Sequence, residues 1–237
     1  MMLLCIDTAT SIESIALVDL ASKTTGAVQA PGTIIERSVD RAGIHGPHIL
    51  DDVDALITDA GVTMDAVHGF CVGLGPGSFT GLRISLATLK GLAFATAKPL
   101  YGARTTSAML KAAGDPNTLV ILDARRNEVY VEGGPIQAPI CCKPEDVWHH
   151  VDPKRGWRLI GDGALKYRAE FETASGVQIE SSMALHQPRA AWLAHCVDPQ
   201  VTPQLASLEP VYVRKSDAEI NYPDGYPDAV RRAPRSP

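Results

Sequence analysis

Two similar strand–turn–strand units, each with an aspartate at its turn, constrain the fold of this chain more than any other feature. The first unit, residues 3–18, places Asp7 directly after an apolar run, and the second, residues 119–131, places Asp123 in the same position. Segments with helical periodicity alternate with the strands. The pattern predicts an α/β fold of two lobes with related architecture, mixed sheets and flanking helices.

The order of the elements also predicts where the lobes begin and end. We expect an N-terminal lobe over residues 1–103 and a second lobe over residues 104–188. The segment of about 189–215 is a candidate for packing back on the first lobe. Residues 216–237 are polar and rich in proline and end in RRAPRSP, so we predict a disordered tail there. Residues 135–144 are expected to form a linker.

Composition limits the classes of function. Apolar residues make up 45% of the chain and charged residues 21%, which is typical of a soluble globular protein and excludes a disordered one. The net charge of −5 argues against a broad basic surface for nucleic acid. Aromatic residues, at 5%, are too few for a base-stacking platform.

Location is expected to be cytoplasmic. No signal segment is recognisable at the N-terminus, and the longest apolar stretch, residues 82–97, is interrupted by Arg83 and Lys90, so it does not resemble a membrane span. The five cysteines include no C-x-x-C pair, a pattern that favours a reducing compartment.

The glycine-rich segment 75–81 is the strongest local signal, because it joins a predicted buried strand to a predicted helix. Its backbone N–H groups could bind an anion. However, no lysine follows Gly81, so the segment is not a P-loop. A tight turn with Ser78 or Thr80 as the helix N-cap explains the same residues, and both interpretations stay open.

The turn Asp7–Thr10 resembles the phosphate turn of actin-like ATPases, in which Asp-x-Gly-Thr lets backbone amides approach a phosphate. Here Ala9 replaces the glycine, and Arg125 occupies the equivalent place in the second unit. We interpret the pair as a degenerate nucleotide site, with two ordinary hairpin turns as the alternative. Its candidate residues are Asp7, Thr8, Thr10, Gly75, Gly77, Ser78 and Asp123.

The first two helices carry an unusual amount of apolar surface. The first is predicted to start near Pro47, with an apolar face that includes Leu50. The second, residues 80–97, has one stripe of leucines and another of small residues, with a narrow polar edge. Such a helix is covered on more than one side, either within its own lobe or by a partner.

Four segments together resemble the bacterial TsaB family, also called YeaZ. They are residues 4–10, 75–84, 121–130 and 209–214, and their order and spacing agree from residue 2 to about residue 215. The stretch GPGSFTGLR is the most specific, and the closing PVYVR is second. The resemblance implies an actin-like ATPase fold (ASKHA, ribonuclease H-like) with two lobes.

The same resemblance implies a role in forming the threonylcarbamoyl group on adenosine 37 of tRNA. In that family the paralogue TsaD carries the metal and the transfer chemistry, TsaB is the required non-catalytic partner, and the P-loop ATPase TsaE joins the complex. We therefore expect no catalytic residue and no metal ligand in this chain, and tRNA to be reached through the complex. The one cofactor to consider is ATP or ADP at a subunit interface.

In the family, the first two helices pair with TsaD or with a second copy of the chain, as a heterodimer or a homodimer. The pattern does not separate core-facing from partner-facing positions. The candidate interface residues are Ile49, Val53, Leu56, Leu82, Leu86 and Leu89.

Two enzymatic alternatives remain. An actin-like ATPase or kinase would use Asp7 and Asp123 around Mg²⁺. A glycoprotease-like peptidase is the weakest hypothesis, because His45 and His48 lack the spacing of an H-x-x-x-H pair and no third ligand is evident.

Overall fold

In a computed structural model of the chain, the described residues are 1–21, 32–42, 44–201, 205–215 and 219. Within these ranges the strands are β1 (Met2–Asp7), β2 (Ile12–Asp19), β3 (Thr33–Asp40), β4 (Gly69–Gly73), β5 (Leu100–Ala103), β6 (Thr118–Arg125), β7 (Glu128–Gly133), β8 (Ile136–Cys142), β9 (Arg158–Ile160) and β10 (Gln178–Ile179). The α-helices are α1 (Ile49–Asp59), α2 (Phe79–Thr96), α3 (Thr105–Ala113), α4 (Asp162–Lys166), α5 (Arg168–Phe171) and α6 (Ala190–Leu193).

The strands form two five-stranded sheets with the same arrangement. The first has the order β3-β2-β1-β4-β5, and the second, written from β8, has the order β8-β7-β6-β9-β10. In each sheet three antiparallel strands are followed by two parallel ones. The predicted α/β fold with two mixed sheets and flanking helices is therefore confirmed.

Strand β1 lies at the centre of the first sheet and is covered on both faces. Alternate side chains of a strand point to opposite faces. Leu4 and Ile6 belong to the core under α1 and α2, whereas Leu3 and Cys5 belong to the core with α3 and α6 that continues into the second sheet. This double covering explains why β1 is continuously apolar rather than alternating.

The segment after the second sheet returns to the first. The Ala190 amide donates a hydrogen bond to Ser14 Oγ at 2.9 Å, and Arg189 forms an ion pair with Glu36. The exact lobe boundaries at residues 103 and 188 stay predictions. Apart from Glu219, the predicted disordered tail lies outside the described residues.

Two local predictions are wrong. Residues 135–144 are not a linker, because most of them form β8. Pro139 cannot donate to a ladder, but β8 is an edge strand and pairs only with β7, so it tolerates a proline. Leu50 does not join the apolar face of α1, since it is 56% exposed.

The described part of the chain contains no helix that is both long enough and apolar enough to cross a bilayer.

The packing predicts very different costs for two leucine truncations in the first two helices. Leu89→Ala empties a fully buried site on α2, so we expect the free energy of unfolding to fall by about 2–5 kcal/mol. Leu50→Ala, the matched control, should change it by less than about 0.5 kcal/mol. Urea denaturation of the isolated protein measures both, and similar losses for the two variants would contradict this packing.

Candidate functional site

A cavity of about 370 Å³ lies where the two aspartate turns and the glycine-rich loop meet. Of the seven residues predicted for a degenerate nucleotide site, Thr10, Gly77, Ser78 and Asp123 line it, while Asp7, Thr8 and Gly75 do not. Arg125, which the sequence places in the second aspartate turn, lines it too. Three further features of the wall were not predicted from the sequence: Tyr130, Asp162 and the C-terminal residues 211–215.

Asp7 is buried beneath the cavity rather than exposed in it. Its side chain is 1% exposed; Oδ1 accepts the Ala9 amide at 2.9 Å, and Oδ2 accepts the Thr105 hydroxyl at 2.7 Å. Burial raises the pKa of this carboxyl, and the two hydrogen bonds oppose that rise. The bond to Thr105 joins the end of β1 to the start of α3. Thr105 Oγ1 also accepts the Gly75 amide, so the glycine-rich loop is attached at the same point.

The glycine-rich loop packs directly on the first aspartate turn. The Ser78 amide donates to the Ala9 carbonyl at 2.6 Å. A Cβ at Gly77 would overlap that same carbonyl, and one at Gly81 would overlap the carbonyl of Thr8. These contacts explain why glycine is needed at both positions.

The start of α2 resolves one alternative left by the sequence. Ser78 is the N-cap, and its hydroxyl accepts the Gly81 amide at 3.2 Å. The Thr8 hydroxyl lies within 2.8 Å of the Gly81 carbonyl and 2.9 Å of Ser85 Oγ, so it fixes the first turn of α2 on the end of β1. The interpretation as a capped strand-to-helix turn is confirmed, with Ser78 rather than Thr80 as the cap.

Asp123 is held by its own lobe. Its Oδ2 pairs with Lys166 Nζ at 2.8 Å, and its Oδ1 accepts from Tyr167 at 3.2 Å and from the Arg125 amide at 3.0 Å. The turn that follows places residues 125–127 in the left-handed region, with φ values of 63°, 53° and 58°. The carboxylate therefore shapes the β6–β7 turn.

Asp162 stands beside it at the start of α4. One oxygen accepts the amides of Asp123 and Gly163 at 3.0 and 2.9 Å. Burial raises the pKa of Asp162 to about 6, and the neighbouring Asp123 adds to the rise, although these hydrogen bonds oppose it.

The side chains at this cleft do not fit a magnesium–nucleotide complex held between Asp7 and Asp123. Both oxygens of Asp7 accept hydrogen bonds from the chain itself, and Asp123 is already paired with Lys166. The Ser78 amide, a candidate for a phosphate, donates to Ala9. In the described part of the chain, no cluster of three or more His, Cys, Asp or Glu residues is arranged to hold a metal ion.

The candidate interface residues of α1 and α2 lie in the core of the first lobe. Each is at most 7% exposed: Ile49, Val53, Leu56, Leu82, Leu86 and Leu89. Their role in binding a partner stays a prediction, since they present almost no surface as the chain is folded. The exposed apolar residues nearby are different ones, Ile44 at 64%, Leu50 at 56% and Phe94 at 83%.

Sequence reasoning missed these positions because it followed the leucine periodicity. The available signal was Phe94, which falls outside the leucine stripe of α2, together with the small residues that share its face.

Two mixed sheets of identical order, with a cleft between their aspartate turns and helices on their outer faces, define the class of actin-like ATPase folds. Comparison with known proteins narrows this class. The family model "TsaD: tRNA N6-adenosine threonylcarbamoyltransferase" matches residues 39–137. A structure described as an uncharacterized protein with similarity to peptidase YEAZ, from Pseudomonas aeruginosa, superposes with a TM-score of 0.69 and 26% identity, over 90% of this chain and 99% of that one.

Two curated relatives are similar over most of this chain. The tRNA threonylcarbamoyladenosine biosynthesis protein TsaB of Haemophilus influenzae is 27% identical over 90% of this chain and 93% of its own length. An uncharacterized protein of Mycobacterium leprae is 32% identical over 96% of this chain, which spans 58% of that relative's length. The chain belongs to the TsaB/YeaZ family.

The raised pKa of Asp162 predicts a specific pH dependence of stability. Between the unfolded pKa of about 4 and the folded pKa of about 6, the folded state binds the extra proton. The contribution of Asp162 to the stability of the folded protein therefore falls as pH rises through this window. From pH 5 to pH 7.5 the loss from this group is about 1.4 kcal/mol.

Asp162→Asn keeps an oxygen for the two amides and removes the titration. Urea denaturation at the two pH values should show a smaller decrease in the variant, by about 1.4 kcal/mol. An identical decrease in both proteins would show that Asp162 does not titrate in this range.

Proposed function

We propose that this chain takes part in the biosynthesis of N6-threonylcarbamoyladenosine in tRNA as a non-catalytic subunit that binds and activates TsaD. The family membership supports the pathway, through the name of the Haemophilus influenzae relative. The observation that supports the binding role is the exposed face of α2, which is apolar and built from small residues. The reaction implies a cytoplasmic location, and tRNA is reached through the complex.

The face of α2 has a composition that its own lobe does not require. Ala87, Gly91 and Ala95 recur every four residues on the exposed side of the helix. Glycine within a helix costs roughly 1 kcal/mol relative to alanine. Yet a Cβ at Gly91 would meet no heavy atom of the described residues within 4 Å. A second helix packed close against this face explains the glycine, because small residues let two helices approach.

Phe94 has the highest exposed fraction of the large apolar side chains in the described residues, at 83%. Such a side chain buries a large area when a partner covers it, and aromatic residues are enriched at interface centres. We call Ala87, Gly91, Phe94 and Ala95 the α2 face, and propose that it is the centre of the contact with TsaD.

Ile44 and Leu50 are exposed near the start of α1 and add apolar surface to the first lobe. A Cβ at Gly46, in the segment before α1, would lie 3.5 Å from Ile84 in the N-terminal part of α2. Asp51 and Asp54 are exposed on α1 and give the surface an acidic border. The complementary partner surface is apolar with a basic rim.

The non-catalytic part of the proposal is supported by the cleft. Asp7 and Asp123 form hydrogen bonds and an ion pair that stabilise the fold, which leaves neither as a ready metal ligand. No observation in the described residues favours the ATPase or the peptidase alternative. Association with TsaE and self-association through the same face stay predictions.

Reconstitution tests the function directly. Purified TsaD, TsaE and the synthase that makes threonylcarbamoyl-adenylate are combined with unmodified tRNA, with and without this chain, and the modified nucleoside is measured by mass spectrometry. We expect formation of the modified nucleoside to depend on the chain. Equal yields in its absence would rule out the proposed role.

The α2 face predicts that folding and binding respond in opposite directions to one substitution. Gly91→Leu should raise the stability of the isolated chain by up to about 1 kcal/mol, because leucine is the better helix former and the site is open. It should weaken binding to TsaD at least roughly tenfold, because the added side chain separates the helices. Denaturation and calorimetric titration with TsaD measure the two effects.

Met183→Glu provides the control, since Met183 is 59% exposed and lies in the 3₁₀ turn Met183–His186, which contacts α4 beside the second sheet. It should leave the affinity unchanged. Wild-type affinity for Gly91→Leu, or an equal loss in both variants, would place the interface elsewhere.

A further inference from the structure

The C-terminal stretch 208–215 crosses the cleft and contacts both halves of the molecule. Leu208 packs in the core of the first lobe, against the side where Gly102 and Leu74 meet. The Val211 amide donates to the Leu74 carbonyl at 2.8 Å. At the other end, Arg214 pairs with Glu128 of β7 at 3.2 Å. One end is thus fixed to the first sheet and the other to the second.

Between these two ends, Tyr212 contacts Phe79 and Arg83 of α2. Its ring lies 4.6 Å from that of Phe79, centroid to centroid, at an angle of 34°. The Arg83 guanidinium lies 3.8 Å from the Phe79 ring centre, and its Nε donates to the Tyr212 hydroxyl at 3.0 Å. Stacking, a cation–π contact and a hydrogen bond therefore hold one tyrosine on the first turns of α2.

The stretch also closes the cavity. Residues 211–215 form one wall, facing Thr10 and Ser78 of the first lobe and Asp123 of the second. The stretch belongs to neither sheet, and Tyr212 is 44% exposed. Segments of this kind detach with a smaller free energy than the sheets they cover.

We propose that residues 208–215 are a latch that holds the cleft closed across the two lobes, with Tyr212 as its catch. Release of Tyr212 from Phe79 and Arg83 frees the wall of the cavity and removes one of the ties between the lobes. This device does not depend on the proposed role with TsaD, and the isolated chain suffices to test it.

Hydrogen–deuterium exchange of the full chain tests the latch. Tyr212→Ala should speed amide exchange roughly threefold to tenfold in residues 208–215 and in the turns 9–11 and 123–127, because the stack is lost. Strands β1 and β6 should exchange as in the wild type. Tyr212→Phe keeps the ring and loses only the hydroxyl, so its increase should be smaller.

Arg214→Ala removes the contact at the other end of the stretch. It is a second, independent variant, which keeps the test valid if Tyr212→Ala fails to fold. It should speed exchange in the same three segments through loss of the Glu128 pair. Wild-type exchange in these segments in both alanine variants would overturn the latch. A uniform increase that includes β1 and β6 would do so too, since it would mean that the stretch only supports global stability.

Discussion

The buried hydrogen bonds of Asp7 are the interaction on which the rest of this structure depends. A carboxylate inside a protein is costly unless its oxygens are satisfied, and here the Ala9 amide and the Thr105 hydroxyl satisfy them. The same contacts fix the first turn, on which the glycine-rich loop and therefore the start of α2 are built. Asp7 is thus buried behind the cavity and does not line it, and its contacts explain why this part of the scaffold is fixed.

Much of this fold follows from local pattern. The apolar runs that became β1 and β6, the aspartates at their ends and the Ser78 cap can all be read from neighbouring residues. What could not be read are contacts between distant residues. Thr105 meets Asp7 from 98 positions away, and the C-terminal Tyr212 meets Arg83 from 129. The β8 strand was missed because Pro139 opposes a strand locally, while its edge position permits one.

The candidate interface residues show even more clearly what local sequence pattern cannot predict. A leucine stripe is equally suited to a core and to a partner, and only the folded structure shows that Leu82 and Leu89 are buried in their own lobe. In the part of α2 that follows Arg83, the exposed residues are the small Ala87, Gly91 and Ala95, together with Phe94. A helix can therefore serve two neighbours, with large side chains towards its own sheet and small ones towards a partner.

Site-specific photocrosslinking shows whether the α2 face contacts TsaD. A benzoylphenylalanine placed at Phe94 and, in a second protein, at Met183 would be irradiated in the presence of TsaD. If the α2 face binds TsaD, we expect a covalent adduct with TsaD from position 94 and none from position 183. No adduct from position 94, or equal yields from both, would contradict it.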